Sequence, residues 1–337
     1  MQSKKNITLE LIKLFAAYMV VFIHIVFNGN FGIIINALAR FAVPLFFLIS
    51  GFFSYKISTE KIKKRIKHII FLTIISSAIY SLFNAVKLFC NGNLDSVILY
   101  FRSYLKPENL FKLFVFNVPI SSSHIWYLLA MLYVYLLFFL VTKFKLNEKI
   151  IFIISFLFLI LHLLLGECLS AFGTILPNYY VRNFALMGIP FFSLGLFTKK
   201  YENKLHNIPN PLLILSVLIG IIETVLSRLI FGINELYIGS LFILFTFVAI
   251  FIKYSNIEYP RFFNTLTGCS TYIYIFHIIV ARIITKLYEI FNIDLNSIVF
   301  LKNLHPLIVC FVTTVLTYLI IQITNKISLI KNKKTLD

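Results

Sequence analysis

Apolar residues in this chain come in long unbroken runs separated by short polar segments. Ten runs approach the 17–25 residues that a helix needs to cross a hydrocarbon core. They lie at about 7–28, 36–55, 68–90, 123–142, 149–166, 182–198, 211–231, 236–253, 269–289 and 304–327. Continuous runs favour helices over barrel strands, in which apolar and polar side chains alternate, and a helix satisfies its backbone polar groups within the segment. The pattern predicts an all-α polytopic membrane protein, folded as a single membrane domain over residues 1–337. The longest polar interval, about 91–122, contains a semi-apolar stretch from Val97 to Leu105 expected at the interface or re-entering it.

The placement of charge orients this pattern. Lys4, Lys5 and Lys13, then Lys61, Lys63, Lys64, Arg65 and Lys67, then Lys143, Lys145 and Lys149, and finally Lys331, Lys333 and Lys334 fall on one side of the expected spans. With the other loops on that side they hold most of the 31 basic residues. Cytoplasmic loops collect Lys and Arg, so both termini are expected in the cytoplasm. Ala37-Leu38-Ala39 resembles a signal-cleavage site, but Arg40 and another span follow it, so the first span reads as an uncleaved helix.

Composition agrees. Hydrophobic residues make up 60% of the chain and charged residues 13%, with a mean hydropathy of +0.91; soluble domains carry about a quarter charged residues. The net charge of +18 lies in short loops between apolar segments, which argues for membrane insertion and against nucleic-acid binding. The four cysteines are dispersed without a CxxC pair, and read as small apolar residues. The histidines are too scattered to suggest a metal site.

Against this apolar background a few polar residues stand out. Glu10, Lys13, Ala17 and His24 recur at helical spacings and share one face of the first segment. Arg40 opens the second segment, followed by Pro44-Leu45-Phe46-Phe47-Leu48-Ile49-Ser50-Gly51. The proline releases a backbone carbonyl one turn earlier. An imidazole and a guanidinium at hydrophobic depth must face protein or water, which suggests a polar chamber. Lys13 snorkelling to the surface and His24 packing on a neighbouring carbonyl are the structural alternative.

The basic run at 61–68 suits either topogenic charge and anionic lipid or the phosphates of a cytoplasmic donor. His124, Trp126 and Tyr127 begin the fourth span, where Trp and Tyr are also common interface anchors. Arg182-Asn183 precedes Gly188-Ile189-Pro190-Phe191-Phe192-Ser193-Leu194-Gly195, a second charge before a proline-bent helix. Glu223 is an unusual acid within a span, paired with Arg228 or held in a polar network. His277 lies inside the ninth span, either packed structurally or functional. No GxSxG, P-loop or HExxH motif is present.

Together these residues resemble the acyltransferase-3 family of integral membrane acyltransferases, which modify sugars and lipids at bacterial surfaces. The resemblance runs over essentially the whole chain. It rests on Glu10, Lys13 and His24, on Arg40 with its Pro-Leu-Phe-Phe-x-x-Ser-Gly run, and on the basic motif opening the third helix. Trp126-Tyr127-Leu128, Arg182 with Gly-Ile-Pro-Phe-Phe-x-x-Gly, and Tyr272-x-x-x-Phe276-His277 add to it. Many members have Arg where Lys13 stands and Arg-x-Arg where Arg65-Ile66-Lys67 stands; lysine keeps the charge but loses the bidentate fork.

The resemblance implies an O-acetyltransferase of the plasma membrane. It would use cytoplasmic acyl-CoA, most simply acetyl-CoA, as a donor substrate, with no tightly bound cofactor. The acceptor would be a hydroxyl of an envelope carbohydrate or lipid-linked glycan. His24 would act as general base and Arg40 would stabilise the oxyanion or orient the acceptor. Lys13, Lys64, Arg65 and Lys67 would contact the donor, and His124, Trp126, Tyr127, Arg182 and His277 the acceptor. The residues themselves support a polar stripe through the membrane, and acyl transfer comes from the resemblance. A transporter or flippase for a glycan or lipid fits the buried charges and proline bends equally well, and a membrane sensor or anchor is a third class. The pattern carries no information on oligomeric state.

Overall fold

The computed structural model describes residues 6–295 and 297–334, with the side chains of residues 261, 262 and 327–334 left out. Lys4 and Lys5 lie outside the described residues, as do the side chains of Lys331, Lys333 and Lys334. The described chain is a succession of helices without strands. Among the described residues, seven stretches are long and apolar enough to cross a membrane: Ile7–His24, Gly29–Phe52, Thr59–Asn91, Ser123–Lys143, Glu148–Ala171, Asn210–Phe231 and Val299–Lys326.

The other three expected runs are also helical but individually weaker. Phe184–Gly188 is a π turn that leads into Ile189–Lys200. Ile238–Lys253 is apolar but has only 16 residues. Cys269–Ile290 has 22 residues and carries Arg282, Lys286 and Glu289.

The chain divides into two compact units, one of Met1–Ala42, His206–Val225 and Gly239–Asp337, the other of Val43–Leu205 and Leu226–Ile238. In the first unit, Asn6 caps Ile7–His24 by accepting from the Leu9 amide (3.0 Å), and its amide donates to the Phe251 carbonyl at 3.2 Å. Thr8 donates to the Tyr254 carbonyl (2.6 Å), so the start of the first helix is tied to the end of Ile238–Lys253. Glu223 accepts the Gly239 amide in the first turn of that helix, where the helix dipole favours a carboxylate.

In the second unit the two proline-bent motifs pack on each other. A Cβ placed on Gly51 would lie 1.9 Å from the Phe192 carbonyl oxygen, and one on Gly195 would lie 2.0 Å from that of Leu48. Each glycine therefore admits the backbone of the other motif. Ser155 donates to Ser193 (2.7 Å), joining Glu148–Leu163 to Ile189–Lys200.

The interval at 91–122 forms two short helices, Leu94–Ser103 and Pro107–Phe116, without a buried residue. Leu94, Ile98, Phe101 and Leu105 recur at helical spacing as an exposed apolar stripe, and Phe111 and Phe114 continue it. The opposite face is tied down by Tyr104, which bonds Ser81 (2.7 Å) and Tyr100 (2.9 Å). Burial pushes the Tyr104 phenol up to about 12.

Candidate active site

The first helix ends at His24 because Ile25 turns to extended backbone. A helix that stops here leaves carbonyls in its last turn without their usual donors. Asn36 supplies one of them: its amide donates to the Ile23 carbonyl at 3.0 Å. The same side chain accepts from Arg40 Nη2 at 3.0 Å. Asn36 and Arg40 are one turn apart and both buried. The break in the first helix is thus linked through one amide to the guanidinium. Arg40 lies in a 3-10 turn, Ala39–Phe41, one turn before Pro44, where the proline removes a helical donor.

His24 is half-buried, and its ring centroid lies 5.4 Å from that of His277. His277 is fully buried, and its Nδ1 lies 2.8 Å from the Tyr274 carbonyl and 3.1 Å from that of Ile273. Two carbonyls at Nδ1 place the proton there in the neutral ring, which leaves Nε2 basic. The first unit therefore brings His24, His277 and, through Asn36, Arg40 to one end of its first helix. At the other end Lys13 pairs with Glu10 at 2.6 Å, and Glu10 accepts the amide of Gly268 at 3.0 Å, just ahead of the helix carrying His277.

In the second unit Arg65 closes a helix end. Its Nη1 donates to Ser54 Oγ (2.6 Å), with the Ser50 carbonyl and the Tyr135 hydroxyl each at 3.4 Å, and its Nη2 donates to the Phe53 carbonyl at 2.8 Å. These groups terminate Ala42–Phe52, where a cation suits the dipole. Lys64 and Lys67 on the same helix are exposed. Tyr127 packs edge-on against Phe47 at 4.8 Å.

The remaining expected residues gather at another place in the second unit. His124 is buried, bonded through Nδ1 to Ser122 (2.8 Å) and edge-on to Tyr80 at 4.7 Å. Arg182 lies over the Trp126 ring at 5.6 Å and pairs with Glu235 at 3.8 Å. The following Asn183 accepts from the amides of Ala185 and Leu186, both at 3.0 Å, and so caps the π turn.

Sequence reasoning passed over Asn36, Glu235 and His162. Asn36 carried one signal, its spacing of four from Arg40. His162 and Glu235 had none, because their neighbourhood is built from segments far apart in the chain. Among the described residues no three His, Cys, Asp or Glu side chains form a group able to hold a metal ion.

Nothing among curated proteins or solved structures matches the chain. The sequence pattern of the acyltransferase-3 family, described as an acyltransferase domain, matches residues 6–322. That match takes in His24, Arg40, His277 and every other site residue described above, and the chain belongs to this family of membrane acyltransferases.

Proposed function

We propose that the protein transfers an acyl group, most simply acetyl, from acyl-CoA to a hydroxyl of a cell-envelope carbohydrate or lipid-linked glycan at the plasma membrane. One observation carries the reading: a reachable imidazole, His24, at a helix break that is bonded through Asn36 to a buried guanidinium. The acceptor oxygen attacks the thioester carbonyl carbon while His24 takes the hydroxyl proton. A carbon–oxygen bond forms, negative charge develops on the carbonyl oxygen, and Arg40 stabilises it. Collapse breaks the carbon–sulfur bond, and the proton held by His24 passes to the departing CoA thiolate. The buried ring of His277 packs beside His24 and orients it.

Lys13, Lys64, Arg65 and Lys67 are assigned to the donor. The exposure of Lys64 and Lys67 suits them to meet phosphates, while Arg65 fixes the helix that carries them. His124, Trp126, Tyr127 and Arg182 are assigned to the acceptor.

The test compares surface glycans from cells expressing wild type and His24→Ala at matched membrane levels, using mass spectrometry for acyl additions. Acylation is expected with wild type and absent with the variant. Glycan that reaches the surface unacylated in both strains, yet is lost on deletion, would replace transfer with transport.

A further inference from the structure

The turn that follows His24 is held by a residue that the mechanism above does not use. The chain leaves the first helix at Ile25 and enters Gly29–Leu38 after Val26, Phe27 and Asn28. Gly29 adopts a φ of +64°, in the left-handed region that glycine enters freely. The Phe27 carbonyl sits so near Gly32 that a Cβ there would lie 1.9 Å from its oxygen. The Phe27 ring packs against Phe22 at 4.9 Å and against Phe31 at 5.2 Å. These contacts pack the turn onto the two helices that flank it.

Two asparagines from outside the turn pin its ends. Asn36 donates to the carbonyl of Ile23, the residue before His24. At the other end the Asn28 amide donates to Asn303 Oδ1 at 2.8 Å, and Asn303 comes from the last helix, Val299–Lys334. Asn28 is the N-cap of Gly29–Leu38, and its amide is one of the donors that a helix start leaves without an intrahelical partner. Ring packing places the anchor itself: two residues on, His305 lies 5.6 Å from Tyr288, centroid to centroid. Tyr288 belongs to Cys269–Ile290, the helix that carries His277 about three turns earlier. Two consecutive helices thus hold His24, one through His277 beside its ring and the next through Asn303 on the turn that follows it.

We infer that Asn303 is a positioning residue for His24: by holding the Asn28 amide it sets the turn next to which the imidazole stands. The inference rests on the acyl-transfer reading only in naming His24 the general base. A base misplaced by about 1 Å can cost about 100-fold in rate. Asn303 touches no reacting atom, and its effect passes through the backbone of residues 25–28. Its oxygen makes the bond, so a carboxylate of the same length can replace the amide.

The experiment uses the full-length protein in lipid nanodiscs, with diethyl pyrocarbonate, which modifies neutral imidazoles, as the probe. Modification rates at His24 and at the exposed His206 are read separately by peptide mass spectrometry. Asn303→Ala is expected to change the His24 rate about threefold or more, through displacement of the ring, and to leave the His206 rate at its wild-type value. Asn303→Asp, which keeps the acceptor, is expected to return the His24 rate to near wild type. In cells at matched membrane levels, glycan acylation is expected to fall about tenfold in the alanine variant and to recover in the aspartate variant. Thermal unfolding monitors the fold, and Asn303→Ser, whose hydroxyl stops short of the amide, carries the test if the alanine variant fails to fold. An unchanged His24 rate, an equal change at His206, or a change that aspartate does not restore overturns the positioning role and leaves a bond that serves the fold alone. A His24 rate that responds to Asn303, in a protein whose wild type transfers no acyl group, would retire the transfer reading and keep Asn303 as the residue that sets His24.

Discussion

At the scale of single residues, Asn36 joins the helix break to the guanidinium, and its two bonds can be separated. Asn36→Ala removes both, and acyl transfer is expected to fall about 10- to 100-fold through misplacement of Arg40. Asn36→Asp keeps an acceptor for Arg40 and loses only the donor to Ile23, so it should retain markedly more activity. The check is kcat and KM at matched protein levels: a loss confined to kcat, partly restored in the Asp variant, marks positioning, and equal losses in both variants would refute it. His24 and Arg40 were legible in the sequence because charge is costly in an apolar run. Asn36 was hard to see because an amide in the run Ile33-Ile34-Ile35-Asn36 carries no such penalty flag. His162 was passed over for a different reason: a lone histidine among leucines has no motif.

At the scale of elements, hydropathy located all ten helical runs but not their ends. The first run reads as apolar through residue 28, yet its helix stops at His24, since Ile25 and Val26 serve an extended strand-like turn as readily as a helix. The third helix begins at Thr59, well before the apolar stretch, because the basic run between Lys61 and Lys67 is itself good helix-forming sequence. The repeated proline motifs were visible as two bent helices; that each glycine seats the other motif's backbone was not. A methyl at Gly51 or Gly195 must push a main-chain carbonyl aside, a cost of about 1–3 kcal/mol or more. Gly166 has nothing within 4 Å of its Cβ position and is not in the left-handed region. Gly51→Ala and Gly195→Ala are therefore expected to lower the unfolding temperature in detergent, while Gly166→Ala leaves it near wild type. A shift in the Gly166 variant equal to the others would remove the steric explanation.

At the scale of the whole molecule, the distribution of Lys and Arg predicts an orientation, which thiol labelling tests. Cys90 and Cys168 are exposed, and the charge bias places both on the external side. In a Cys168→Ser background, a membrane-impermeant maleimide should label Cys90 on intact cells. With Cys90 also changed to Ser, Lys64→Cys should label only after permeabilisation, and the opposite pattern would invert the topology. The family was legible at this scale too, because its motifs are spread over nearly the full length that matches, residues 6–322. The division into two compact units was not, since the first unit is assembled from three separate stretches of sequence. The reciprocal glycine contact has a genetic consequence. Each glycine presses against main-chain atoms of its partner motif, and main chain cannot be trimmed by substitution. A defect from Gly51→Ala should thus have no local suppressor at Phe192, and one from Gly195→Ala none at Leu48. Revertants of either are expected to restore the glycine itself.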